Sequence, residues 1–212
     1  MGQLNEAVYI ENILEFYDIQ NFVETGTGIA EVVRSVYDIN PELNVHTIEI
    51  IEPIYRKNKI SLSYMENVNW HLGQSSEVLP QILPGLTGNT LFWMDAHFPG
   101  ADFGMATYGD EPDLNKRLPL QCELEIIVKN RDVSNDVFVI DDLRIYEDGP
   151  FEDGNWADRL KYGADGIDFI DELFDETHYV VKSYNKQGFI ILLPVNKDIT
   201  NEAENLVVGA TA

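Results

Sequence analysis

The run Glu24-Thr25-Gly26-Thr27-Gly28-Ile29-Ala30 sets two glycines between a short apolar stretch, Phe22-Val23, and a helical pattern. Glycines there let the chain turn sharply and let a ligand approach the backbone and the helix N-terminus. About twenty residues further on, Glu49 closes the next apolar segment, where an acid can take both hydroxyls of a ribose. Glu52 is a weaker candidate for the same task. Taken alone, the glycines also suit an ordinary strand-to-helix turn, and Glu49 a solvated strand end; together they point to a nucleotide-like ligand.

A second group is acidic. Asp95 closes Leu91-Phe92-Trp93-Met94, and Asp141-Asp142 closes Val137-Phe138-Val139-Ile140. Carboxylates gathered at one sheet edge repel one another unless a cation lies among them, and an oxygen-only set suits Mg²⁺, Mn²⁺ or Ca²⁺. Capping of the following turns is the plainer alternative. His97, two residues past Asp95, has the chemistry of a base, a ligand or a substrate contact. His46, His71 and His178 fall in or beside strands and read as structural, and Cys122 as a buried thiol.

The elements that must position these residues alternate. Apolar spacing predicts a helix over 4–17, then strands at 22–23, 45–49, 68–72, 91–94 and 137–140 with helices between them. A helix over 166–176 and a hairpin of strands 179–184 and 189–193 around Asn185-Lys186-Gln187-Gly188 close the pattern. Alternation of this kind means a mostly parallel sheet covered on both faces, with ligands outside the carboxyl ends of its strands. Two long connections, 96–118 and 146–166, leave the strands that carry Asp95 and Asp142. They read as walls or lids of a site, with Phe151, Trp156 and Tyr162 as substrate contacts or as loop packing.

Composition narrows the partners. The chain has 212 residues, and 14 Lys+Arg against 37 Asp+Glu give a net charge of −23. Too few basic residues remain for a broad phosphate-gripping face, so nucleic acid and anionic membrane are not expected partners. One cysteine excludes an intrachain disulfide, no run approaches a membrane span, and the first ten residues lack signal-peptide organisation. A cytoplasmic protein is expected, with one domain over 1–195 and a tail over 196–212.

In this order, Phe-Val-Glu-Thr-Gly-Thr-Gly, Thr-Ile-Glu-Ile, Val-Asn-Trp-His-Leu-Gly-Gln-Ser, Phe-Trp-Met-Asp-Ala-His and Phe-Val-Ile-Asp-Asp resemble class I S-adenosylmethionine-dependent methyltransferases. The pattern is most similar to cation-dependent O-methyltransferases of the catechol and macrocin types, and to uncharacterised bacterial and phage relatives. The resemblance covers about Leu4 to Leu193. It implies a Rossmann-like seven-stranded sheet, its seventh strand antiparallel between the fifth and sixth. Carried over, Glu24, Thr25, Gly26, Thr27 and Gly28 match the methionine-side motif, Glu49 the ribose acid, and Gln74-Ser75 the adenine pair. Asp95, Asp141 and Asp142 match the metal site; His97 and the long connection after it have no counterpart in the pattern, and from the residues themselves Asp95, also beside the cofactor, or His97 is the candidate base. Ala30 stands where a third glycine is usual, and Gln74 where Asp is.

The expectation is methyl transfer from S-adenosylmethionine to a hydroxyl of a small acceptor, a sugar-containing one among the candidates, assisted by Mg²⁺ or another divalent cation. A homodimer is left open. Two rivals share the same residues: a dinucleotide-binding oxidoreductase, and a non-catalytic methyltransferase-fold interaction module.

Overall fold

A computed structural model of the chain describes residues 3–164 and 166–209. Its strands are β1 (Ile19–Thr25), β2 (Asn44–Glu49), β3 (Val68–Leu72), β4 (Asn89–Met94), β5 (Val137–Ile140), β6 (His178–Ser183) and β7 (Phe189–Pro194). They form one sheet in the order β3-β2-β1-β4-β5-β7-β6. The strands β1 to β5 pair in parallel, and β7 runs antiparallel to both of its neighbours, β5 and β6. The order reverses between β1 and β4, the place where open α/β sheets form a ligand crevice.

Among the described residues, ten α-helices surround the sheet: α1 (Leu4–Ala7), α2 (Ile10–Phe16), α3 (Glu31–Ile39), α4 (Glu52–Ser61), α5 (Ser75–Ile82), α6 (Leu114–Arg117), α7 (Leu120–Asn130), α8 (Arg159–Tyr162), α9 (Asp168–Phe174) and α10 (Ala203–Leu206). Successive residues of a strand point to opposite faces, and the core divides accordingly. Phe22, Leu91, Trp93 and Val139 pack on one face with Ile13 of α2 and Val33 and Val36 of α3. Val23, Phe92, Phe138 and Ile140 pack on the other with Leu79 of α5, Leu124 and Ile127 of α7, and Ile170 and Phe174 of α9. Central strands apolar on both sides can bury their polar backbone only by full pairing, which fixes their register and the level at which each one ends.

The predicted helix over 4–17 is two helices. Val8 between them is extended (φ −139°, ψ 156°) and forms a bridge with Val207, while Tyr9 N–H donates to the Leu206 carbonyl at 3.0 Å. Thus residues 203–207, in the segment left without a predicted element, compete successfully for backbone that helical periodicity alone would assign. Leu206 and Val207 are buried there. The last three residues of the predicted tail lie outside the described residues. Among the described residues no helix is long and apolar enough to cross a membrane.

Candidate functional site

The carboxyl ends of β1, β2, β4 and β5 are tied into one rim by backbone hydrogen bonds. Gly26 N–H and Thr27 N–H both donate to the Ile48 carbonyl, at 3.0 and 3.1 Å. Asp95 N–H donates to the Thr25 carbonyl at 3.0 Å and Asp141 N–H to that of Met94 at 3.1 Å. The residue after each strand is therefore held at a common level. A crevice of about 700 Å³, open to solvent, lies along this rim and is lined by Gly26, Gly28, Glu49, Gln74, Ser75 and Asp95. Four separate strand ends contribute to it.

The glycine loop is left-handed at Gly26 (φ +82°) and Gly28 (φ +54°). A Cβ on Gly26 would stand 2.5 Å from the Asp95 carbonyl oxygen, so this glycine is required by both conformation and space. Gly26→Ala is expected to destabilise the fold by about 2–4 kcal/mol, because the obstacle is backbone and cannot rotate away. A thermal melt checks this, and an unchanged melting temperature would refute it. Ala30 also adopts the left-handed conformation (φ +58°) at full burial. The missing third glycine thus leaves strain at the start of α3 while the loop keeps its path.

Glu49 is anchored on both oxygens. Gly28 N–H donates to Oε2 at 3.0 Å and Ile51 N–H to Oε1 at 2.8 Å. Burial raises its pKa, partly offset by those backbone donors. Each oxygen keeps a second lone pair for a ligand hydroxyl. The Gly28 carbonyl is itself held by Asn58 Nδ2 at 2.7 Å, a buried contact from α4 with no signal in the sequence pattern.

Glu24, Thr25 and Thr27 do not line the crevice but lie beneath it. The Thr47 hydroxyl donates to Glu24 Oε2 at 2.5 Å, and Thr27 shares a hydrogen bond of 2.5 Å with Thr47. Burial pushes the Glu24 carboxyl up to about 8, against the lowering effect of Thr47, with Glu49 nearby adding to the rise. Thr25 donates to Glu123 Oε2 at 3.4 Å, and Ser75 also hydrogen-bonds that carboxyl. Glu123 is buried, its Oε1 has no hydrogen-bond partner among the described residues, and burial raises its pKa to about 7. Sequence reading missed it. The signal was there: Glu123 lies three residues after Leu120 and four before Ile127, on the apolar face of α7.

The three aspartates converge with His97. Asp95 and Asp141 are joined by a hydrogen bond, and burial together with mutual repulsion raises both: Asp95 well above the carboxylate range, Asp141 to about 7. The His97 ring lies between Asp95 and Asp142, with Nε2 3.0 Å from Asp142 Oδ2 and Nδ1 3.6 Å from Asp95 Oδ1. Burial would depress this imidazole, but the hydrogen bond and charge of Asp142, then Asp141 and Asp102, outweigh it and raise its pKa. Asp142 is left-handed (φ +54°), as is Phe98 (φ +42°). Two non-glycine residues held this way beside one cluster are the kind of strain that functional sites retain.

A divalent cation does not fit the cluster as it stands. The imidazole lies between two of the three predicted ligands, and Asp95 and Asp141 hydrogen-bond each other. Among the described residues no group of three or more His, Cys, Asp or Glu is disposed to hold a metal ion.

The connection over 96–118 forms one wall of the crevice, with Phe98, Pro99, Gly100, Asp102, Phe103 and Lys116 along it. Phe98 N–H donates to the Arg117 carbonyl at 2.8 Å, closing the loop on itself. The connection over 146–166 packs against it: Trp156 meets Phe98 at 5.4 Å and Tyr108 at 5.3 Å between ring centroids. Of the three aromatics noted in the sequence, Trp156 faces this region and Tyr162 backs it, 6.4 Å away. Phe151 packs elsewhere, on Tyr184 of the hairpin.

No protein-family model and no curated protein matches the chain. Solved structures do match. The methyltransferase PaMTH1 of Podospora anserina, bound to S-adenosylhomocysteine, superposes with a TM-score of 0.57 at 13% identity, covering 90% of this chain and 77% of its own. An O-methyltransferase of Bacillus cereus, in complex with the same molecule, gives 0.54 at 13% identity over 88% and 79%. The O-methyltransferase TomG of Streptomyces achromogenes, in complex with S-adenosylmethionine, gives 0.54 at 13% identity over 87% and 77%. At such identities the likeness establishes the fold, a Rossmann-like methyltransferase architecture.

Proposed function

We propose that this chain transfers a methyl group from S-adenosylmethionine to a hydroxyl of a small acceptor, with a sugar-bearing molecule suggested by the sequence resemblance. One observation carries the reading: a single crevice at the switch point is lined together by the left-handed glycine loop, Glu49, Gln74-Ser75 and Asp95. The neighbours of the same fold that hold S-adenosylmethionine or S-adenosylhomocysteine support it.

When bound, S-adenosylmethionine supplies a methyl group made electrophilic by its sulfonium. The chain's part is to bind, orient and manage a proton. Gly26 and Gly28 offer backbone at close approach, Glu49 accepts from ribose hydroxyls, and Gln74 with Ser75 meets the adenine edge. The buried carboxyls Asp95 and Glu24, with Glu49 at the rim, ionise more readily beside a positive charge, so a cation in the crevice is favoured as they lose their protons. His97 takes the acceptor's proton at Nδ1, since Nε2 is committed to Asp142 and the Asp95 oxygen is too distant for a firm bond. Asp142 thus fixes the tautomer and the ring's aim. Positioning supplies most of the acceleration. The divalent cation implied by the resemblance would need Asp95, Asp141 and Asp142 as ligands with His97 moved from between them, and no step here depends on it.

Calorimetric titration with S-adenosylmethionine, with and without Mg²⁺, tests the reading. Heat of binding is expected in both cases and of similar size. Absent heat in both would remove the cofactor, and heat only with Mg²⁺ would restore the metal and displace His97.

A further inference from the structure

Glu123 is a carboxyl placed where an apolar residue would pack. It is 1% exposed, on the face of α7 that carries Leu120, Leu124 and Ile127, and Leu79 of α5 belongs to the same core. Burying a carboxyl there is costly unless its oxygens are hydrogen-bonded. The Thr25 hydroxyl donates to Oε2 at 3.4 Å, and Ser75 hydrogen-bonds the same carboxyl. Oε1 has no partner among the described residues, so both hydroxyls meet at Oε2. Of the two, only Ser75 also lines the crevice. Given the reading of that crevice as the cofactor's, we infer that Glu123 is a positioning residue that sets base selectivity. It holds the Ser75 hydroxyl proton from below, so that the crevice presents an acceptor there and takes a 6-amino purine over a 6-oxo one.

The polarity of this contact is fixed. A serine hydroxyl has one proton and two lone pairs. With its proton committed to Glu123, the Ser75 oxygen has only lone pairs to offer the crevice. An ionised carboxylate accepts and never donates. A neutral one carries its proton on Oε1, because Oε2 already receives two hydroxyls, and Ser75 stays turned inward in either state. Thr25 anchors the same oxygen to the end of β1, where its carbonyl also receives Asp95 N–H at 3.0 Å.

Gln74, the other side chain expected at the base, lacks that fixity. Its Nε2 donates to the Ser76 hydroxyl at 2.8 Å, which leaves Oε1 free for an amino group. A hydroxyl can donate as well as accept, so the amide can turn over, keep its bond to Ser76 and present N–H₂ instead. An Asp there, as in the resembled pattern, would be an acceptor either way. The amide therefore suits a base of either kind, and discrimination falls to Ser75 and the acid that holds it. An exocyclic amino group donates to the Ser75 oxygen; an oxo group sets lone pairs against lone pairs.

The test is calorimetry on the full chain with S-adenosylhomocysteine and S-inosylhomocysteine, which differ only in the base. Wild type is expected to bind the first at least about tenfold more tightly. Glu123→Leu and Ser75→Ala are each expected to lower that ratio by about fivefold or more, and the double variant to lower it no further than either alone, because the acid acts through the hydroxyl. The bases also differ at N1, equally for every variant, so the shift in ratio is what reads Ser75. Melting curves check folding, and Glu123→Met, closer in shape to the native side chain, takes the place of Glu123→Leu if that variant does not fold. Equal affinity for the two molecules in wild type overturns the inference, as does a ratio indifferent to loss of the Glu123 carboxyl or effects that add in the double variant. In each of those cases binding itself leaves the cofactor reading standing. Binding of neither molecule would strike that reading and the inference with it.

Discussion

Glu49→Ala is expected to weaken S-adenosylmethionine binding by about 100-fold or more. Hydrogen bonds to a charged group contribute about 1.5–3 kcal/mol each, and the carboxylate has two ribose hydroxyls to receive. A loss of about 3 kcal/mol already exceeds 100-fold. The substitution has a second consequence that must be separated from the first. Glu49 also accepts from Gly28 and Ile51 N–H groups, so its removal releases the glycine loop and the turn into α4. These donors border an open crevice and can turn to water, which keeps the stability cost near 1 kcal/mol, or a few degrees of melting temperature. Glu49→Gln keeps one acceptor oxygen but sets an amide N–H₂ against a backbone donor, and should fall between wild type and alanine in affinity. Calorimetry with melting curves on the same samples reads both effects. An affinity within about threefold of wild type would mean that no ribose lies at Glu49.

The strand ends were legible in the sequence because burial on both faces leaves few ways to write a central strand. Val137–Ile140 occurs where its apolar run places it, β4 ends at Met94 as its run does, and the rim residues Gly26, Glu49, Gln74, Asp95 and Asp141 follow from the strand ends. What stayed hidden depends on contacts between distant segments. The break at Val8 is imposed by Val207, almost the whole chain away. A crevice on the far side of His97 takes Trp156, Gln187 and Tyr108 from three loops whose mutual placement no periodicity encodes. The position of His97 between Asp95 and Asp142 likewise depends on the closure of Phe98 onto Arg117. Residue types alone suggested a cation there; the geometry places an imidazole between two of the carboxylates. Glu24 marks the other boundary: its type and motif were readable, its burial beneath the loop was not.

Stability is expected to fall as pH rises from 6.5 to 8.5, and the sign follows from which groups titrate in that window. Burial raises Glu24 to about 8 and Glu123 and Asp141 to about 7. A carboxyl whose folded pKa lies above its unfolded value binds its proton more tightly in the folded state. Its contribution is complete below the unfolded pKa and is lost as pH climbs through the folded one. His46 is lowered to about 4, and His71 and His178 are also lowered; burial is the main cause for all three. Their stabilisation is present above the unfolded histidine pKa and disappears below it, so it limits stability on the acid side. Between 6.5 and 8.5 these three lowered histidines are already neutral in the folded state, while His97, raised by Asp142, loses its proton in the same direction as the buried acids. The buried acids remain, and their summed loss is about 3 kcal/mol, roughly 6–12 °C in melting temperature. Glu24→Gln should flatten much of that slope while keeping an oxygen for Thr47, because the amide has no proton to lose. S-adenosylmethionine, a cation at its sulfonium, should also flatten it, whereas neutral S-adenosylhomocysteine should not. Melting curves across the window with each molecule decide the matter: equal slopes for the two would place the positive charge away from these acids, and a flat wild-type curve would mean that they are ionised throughout.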